Sequence, residues 1–140
     1  MSNSIKYKAS FRVSSDNLDP LEITRLLDIS PSHAHRKGDS NKVMTKKGKL
    51  IEFSPFNTGV WILDSIEGEQ MSLEHHVRCL LLLLYPLKDR LVELSLGGYK
   101  MDLFCGAFIH GVDQPGFDLS PDVLIRLGEL NVTLGLCIYQ

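Results

Sequence analysis

The stretch "SLEHHVRCLLLLLYPLKDRLVEL", residues 72–94, constrains this chain more than any other. Leu73, Val77, Leu80, Leu81 and Leu84 recur at the spacing that puts side chains on one face of a helix, and Ser72 suits the position that opens it. The unbroken apolar run, Cys79–Leu87, is far shorter than the roughly 20 residues needed to cross a bilayer, and Arg78 and Lys88 flank it. The run therefore belongs to a helix buried in a protein core. Pro86 lacks an N–H and would clash with the carbonyl four residues back, so the helix is expected to kink or restart there. Leu87, Leu91 and Leu94 continue the stripe until Gly97-Gly98 stops it.

Such a helix needs an apolar surface to cover, and strands supply it. Tyr7, Ala9, Phe11 and Val13 alternate with Lys6, Lys8, Ser10 and Arg12, the period-two pattern of a strand with one wet face. "LDPLEITRLLDI" reads as a short helix ending near Asp28. Asp19 caps it, Pro20 takes the first helical position, Glu22 completes a capping box, and Ile23, Leu26 and Leu27 face inward. "KLIEFS" and "TGVWILDSI" read as two strands joined through Ser54-Pro55-Phe56-Asn57 into a hairpin. "YKMDLFCGAFI" is a strand, "LSPDVLIRLGEL" a third helix and "VTLGLCIYQ" a final, almost wholly apolar strand. The two helix starts, L-D-P and L-S-P, echo one another; either two strand-helix-strand units are related, or both helices begin by the commonest rules.

The expected order is β-α-β-β-α-β-α-β, an α+β fold. Its first six elements follow a ferredoxin-like sandwich, with a mostly antiparallel sheet of about five strands and helices on one face. With 140 residues the chain suits one domain spanning 1–140. A charged fraction of 23% and a net charge of −2 exclude the global polyelectrolyte character that nucleic-acid binding favours. Cys79, Cys105 and Cys137 are odd in number and sit in apolar runs, where a thiol acts as a small hydrophobe. They are expected to be buried, reduced and unpaired. With an N-terminus that lacks a continuous apolar stretch, this points to the cytoplasm and away from membranes.

The candidate surface is "ISPSHAHRKGDS", residues 29–40, followed by Lys42, Lys46, Lys47 and Lys49. Arg36-Lys37-Gly38-Asp39 has two readings. A glycine-allowed turn could expose backbone N–H groups beside two cations and hold an anion; alternatively, Gly38 serves a tight turn while Arg36 pairs with a helix end or an acidic neighbour. Trp61 is also open. It either forms an aromatic floor with Phe53 beside Arg36, suited to a partner protein or a flat anion, or fills the core.

Other chemistry finds little support. His33 and His35 share one side of an extended segment, but nothing brings His75, His76 or His110 to them. Adjacent helical residues such as His75 and His76 diverge by roughly 100°. No metal site and no cofactor are expected. Asp64, Glu67, Glu69 and Glu74 form an acidic cluster read as a solvated turn. No nucleophile elbow, P-loop or dinucleotide fingerprint is present, so no catalytic residues are assigned and an enzyme is not the favoured class.

The combination of "FRVSSDNLDPLEITRLLDISPSHAHRKGD", "TGVWIL", "SLEHHVRCLLLLLYPLKDRL" and "LSPDVLIRLGELNVTLGLCIY" resembles the bacterial family of domain of unknown function 4279 (DUF4279) over nearly the whole chain. The resemblance implies a bacterial cytoplasmic domain and assigns no activity to any residue.

The leading functional expectation is a non-catalytic protein-interaction domain of immunity or regulatory type, using His35, Arg36, Lys37, Asp39 and Trp61. The alternatives are a sensor of a small anionic ligand held by the basic segment 33–49, and an enzyme of unrecognised type.

Overall fold

One long strand, β1 (Ser4–Ser15), is the axis of the molecule. A computed structural model describes residues 3–140. β1 pairs antiparallel with β5 (Gly59–Asp64) on one side and with β6 (Lys100–His110) on the other. A short edge strand, β2 (His33–His35), adds antiparallel to β5, and β7 (Thr133–Tyr139) adds parallel to β6. The five strands lie in the order β2-β5-β1-β6-β7.

The alternation along β1 is the one its sequence predicts. Tyr7, Ala9, Phe11 and Val13 are buried, and the register sets Val13 opposite both Trp61 and Met101. Helices α1 (Pro20–Leu27), α2 (Leu73–Leu84), α3 (Lys88–Leu96) and α4 (Pro121–Glu129) bury their apolar stripes in the same core. All five α2 residues named from helical spacing are buried, each contributing roughly 1.5–3 kcal/mol of apolar transfer. The other sheet face stays open, with Arg12 over the Phe104 ring, Lys8 over Phe108, and Phe108 stacked on Tyr139 at 4.7 Å.

Pro86 breaks the long helix as expected. A 3-10 turn, Tyr85–Leu87, separates α2 from α3. Helix α1 also begins as read, with Asp19 accepting the Leu21 N–H at 3.1 Å and Pro20 in the first turn. Among the described residues Glu22 does not complete the capping box; the Asp19 carboxylate instead accepts a second bond, from the Arg36 guanidinium.

Two expectations need correction. The hairpin between "KLIEFS" and "TGVWILDSI" does not form. β4 (Leu50–Phe53) pairs instead with β3 (Asn41–Met44), in a separate two-stranded sheet. The chain reverses at Thr45–Lys49, where Thr45 N–H donates to the Lys49 carbonyl at 2.8 Å and Gly48 takes a φ of 79° that glycine alone adopts freely. The element order accordingly gains two strands and a divided helix. Within the order β2-β5-β1-β6, β5 lies between β1 and β2, which run parallel, and β1 lies between β5 and β6, which also run parallel. β7 extends this sheet as a direct parallel neighbour of β6. The α+β class and the mostly antiparallel five-stranded sheet stand. The L-D-P and L-S-P units pack differently: α4 links β6 and β7, which are direct parallel neighbours, whereas β5 lies between the parallel strands β1 and β2 that flank α1, and Ser120 makes no side-chain cap.

Gly59 explains part of the "TGVWIL" pattern. A Cβ there would meet the Ser15 carbonyl at 2.8 Å and Leu18 Cβ at 2.9 Å, so only glycine lets β5 enter the sheet beside the end of β1.

Candidate functional site

The segment after α1 is tied down on all sides. Arg36 N–H donates to Asp39 Oδ2 at 2.8 Å and Asp39 N–H to the Arg36 carbonyl at 3.2 Å, closing a turn in which Gly38 has a φ of 89°. Gly38 N–H donates to the Phe56 carbonyl at 2.7 Å, and Phe56 N–H returns to the Asp39 carbonyl at 3.1 Å. Three of the backbone donors that an anion nest would use, those of Arg36, Gly38 and Asp39, are thus spent on internal acceptors. The side chains are engaged too, Arg36 with Asp19 at 2.7 Å and Lys37 with Asp16 at 3.6 Å. His35 stacks on Phe56 with 3.5 Å between ring centroids. Burial lowers its pKa against the opposing pull of Asp39 and the Thr58 backbone. These residues form a clamp that fastens both ends of residues 40–55 to the main sheet.

Trp61 belongs to the core and not to a surface. It is 0% exposed, its Nε1–H donates to Thr24 Oγ1 at 3.1 Å, and its ring meets Phe11 edge-on at 6.3 Å. The β1–β5 register sends Trp61 to the helix side of the sheet, whereas Phe53 lies on the separate hairpin and is half exposed. No joint aromatic floor forms beside Arg36.

What the clamp presents is the β3–β4 ribbon. Val43, Met44, Leu50, Ile51 and Phe53 are exposed, Met44 at 62%. The pairing places Val43, Ile51 and Phe53 on one face, with Met44 and Leu50 on the other. Lys42 reaches Glu52 only at 3.9 Å, and Lys46, Lys47 and Lys49 at the tip make no ion pair among the described residues. A two-stranded hairpin with two wet faces has little stability of its own. This one combines exposed apolar side chains with unpaired cations, a composition that folding does not require.

The histidines do not gather. His33 lies 3.4 Å from Asp64, and His110 sits exposed at the end of β6. His76 is buried with Nδ1 at 2.9 Å from Ser65 Oγ, and burial lowers its pKa. His75, in contrast, turns toward Glu67. The two approach to 3.3 Å, and Cys79, one helical turn on, completes a triangle. Its thiol donates to Glu67 Oε1 at 3.3 Å and lies 3.7 Å from His75 Nε2. Burial first and the carboxylate second push the Cys79 thiol up, while hydrogen bonds from Cys79 and then His75 hold Glu67 down. Cys79 and Cys137 are half-buried, not fully buried as expected; only Cys105 is sealed in the core.

Two features escaped the sequence reading. The ribbon was half visible, in "TKKGK" between short apolar runs, but β4 was paired with the wrong neighbour. The triangle was visible only as His-x-x-x-Cys, whose four-residue spacing puts both side chains on one helical face.

Fold and surface define an α+β protein built on a five-stranded sheet, with a clamped, basic and apolar two-stranded ribbon beside it. The chain belongs to the family described as Domain of unknown function (DUF4279), whose model matches residues 5–140. Comparison with curated proteins and with solved structures finds no match. Among the described residues no helix is long and apolar enough to cross a membrane.

Proposed function

We propose that the protein is a non-catalytic interaction domain that covers an acidic surface of a partner protein, as immunity and regulatory proteins do, and that the β3–β4 ribbon makes the contact. The observation that carries this reading is the ribbon itself: five exposed apolar residues on a hairpin whose tip bears unpaired Lys46, Lys47 and Lys49. Apolar side chains supply the buried centre of an interface, and the cations steer an acidic partner toward it. The anion-sensor reading loses support because the Arg36 and Lys37 side chains and the N–H groups of Arg36, Gly38 and Asp39 already have internal partners.

The test is affinity capture from extracts of the source cell, comparing wild type with the triple variant Lys46→Glu, Lys47→Glu, Lys49→Glu. Folding should shift by less than about 1 kcal/mol, since these side chains are exposed and unpaired. Capture of the partner should fall about tenfold or more, and the wild-type complex should weaken as salt rises. Equal capture by both proteins at low salt would remove the ribbon from the interface.

A further inference from the structure

We infer that Glu67, His75 and Cys79 form a binding site for a zinc-class divalent cation with one coordination position left open, a property independent of the ribbon's role. The three donors come from two elements that the fold brings together. His75 and Cys79 stand one turn apart on the half-exposed side of α2, and Glu67 comes from the loop that follows β5. Opposite that side, Val77, Leu80, Leu81 and Leu84 anchor α2 in the core, so the two helical ligands are held by a rigid element.

The spacing approaches that of a metal polyhedron, which a small turn of the Glu67 carboxylate would close. Ligands bound at ~2.3 Å for sulfur and ~2.0–2.2 Å for nitrogen and oxygen, at tetrahedral angles, lie about 3.3–3.6 Å from one another. The observed contacts are 3.3 Å from Cys79 Sγ to Glu67 Oε1, 3.3 Å from His75 Nε2 to the other carboxylate oxygen, Oε2, and 3.7 Å from Cys79 Sγ to His75 Nε2; with one donor atom taken from each residue, all three lie within 4.8 Å of one another. A thiolate, an imidazole and a carboxylate make a donor set of mixed softness that suits zinc over magnesium or calcium, whose sites are built from oxygen. Three protein ligands leave the fourth tetrahedral position to water or an exchangeable small ligand. Glu67 and Cys79 also line a cleft of about 300 Å³ walled by Leu63, Ile66, Leu80, Leu82 and Leu83, which gives such a ligand an apolar approach.

Proton and metal compete for this place. In the metal-free arrangement the thiol keeps its proton and donates it to Glu67. On binding, the S–H bond breaks, sulfur keeps the electron pair and gives it to the cation, and the proton passes to solvent. Each thiol that coordinates therefore releases one proton, and affinity rises with pH.

The experiment titrates the full, reduced chain with Co²⁺ and then displaces it with Zn²⁺. The expected result is one Co²⁺ per chain, with a thiolate-to-cobalt charge-transfer band in the near ultraviolet and visible bands of tetrahedral intensity, both abolished by zinc. Zinc should also protect Cys79 from alkylation, as read by peptide mass mapping of the unmutated protein, while the labelling of Cys137 is unchanged. Cys79→Ser should remove the charge-transfer band and weaken binding by more than the roughly 10–100-fold that loss of an outer-shell partner costs. His75→Ala and Glu67→Gln should each weaken it, and Cys137→Ser should not. Absence of the band in wild type, or a band that persists in Cys79→Ser, or zinc protection of Cys137 in place of Cys79, would overturn the site. The mapping uses the unmutated chain, so it decides the matter even if a variant fails to fold.

Discussion

The guanidinium of Arg36 donates to Asp19 Oδ1 at 2.7 Å, the same oxygen that caps α1 by accepting Leu21 N–H at 3.1 Å. One carboxylate thus holds both the start of a helix and the clamp that carries the ribbon. Asp19→Ala should cost about 1–2 kcal/mol, because the cap and the Arg36 partner are lost together. Arg36→Glu sets two carboxylates against each other and should cost about 1 kcal/mol, whereas Lys37→Glu, whose partner Asp16 lies 3.6 Å away in solvent, should cost less than about 0.5 kcal/mol. Urea denaturation of the three variants checks the ranking. Equal values for Arg36→Glu and Lys37→Glu would mean that the clamp does not depend on Asp19.

Trp61 makes the core directly observable. Its emission in the native protein should be blue-shifted and resistant to acrylamide, moving to the red on unfolding, because the ring is wholly enclosed. Trp61→Ala should cost about 3–5 kcal/mol through the cavity it leaves. Ready quenching in the folded state would return Trp61 to the surface.

Glu129 links α4 to the break between α2 and α3, accepting from the Tyr85 hydroxyl at 2.5 Å and from Lys88 Nζ at 3.1 Å. The Tyr85 hydrogen bond first, and Lys88 second, hold its carboxyl below the usual 4.5. Its ionised form is favoured by folding, so this contribution is present above pH 4.5 and is lost as pH falls through the lower folded value. Glu129→Gln should lower the thermal midpoint at pH 7 and lessen the difference from wild type in acid. A midpoint difference that does not narrow between pH 7 and pH 3 would contradict the linkage.

The three thiols should separate by reactivity. Cys105 is enclosed and its pKa is pushed up to about 11 by burial, so labelling at pH 8 should require unfolding. Cys79 and Cys137 should react in the native state. Glu67→Gln removes the negative charge that helps hold the proton on Cys79 and should speed its labelling, leaving Cys137 unchanged. Alkylation rates by mass spectrometry report each site, and rapid native labelling of Cys105 would remove it from the core.

Pro86 occupies the 3-10 turn between α2 and α3, with its ring exposed. Pro86→Ala frees the unfolded chain and weakens the restart, so stability should fall by less than about 1 kcal/mol. A rise in the denaturation midpoint would show that α2 and α3 fuse once the proline is gone.

The chain's local signals by themselves determined the helices, the axial strand and the broken α2–α3 stripe. Each of these depends on spacing within a dozen residues: Leu73 to Leu84 at helical period, Tyr7 to Val13 at period two, and Pro86 where a helical N–H is missing. Only the tertiary structure decided which strand met which, and hence the site. "VWIL" is apolar on both sides, so its alternation could not say which side faced the helices; the pairing of Val13 with Trp61 did. β4 is apolar enough to join either neighbour, and it was placed by the turn at Thr45–Lys49 and by the clamp from Gly38 and Asp39 to Phe56. Arg36 and Asp19 are 17 residues apart, and Glu67 is eight and twelve residues from His75 and Cys79. Such separations leave no period in a sequence, because side chains that meet through folding are brought together by the packing of whole elements.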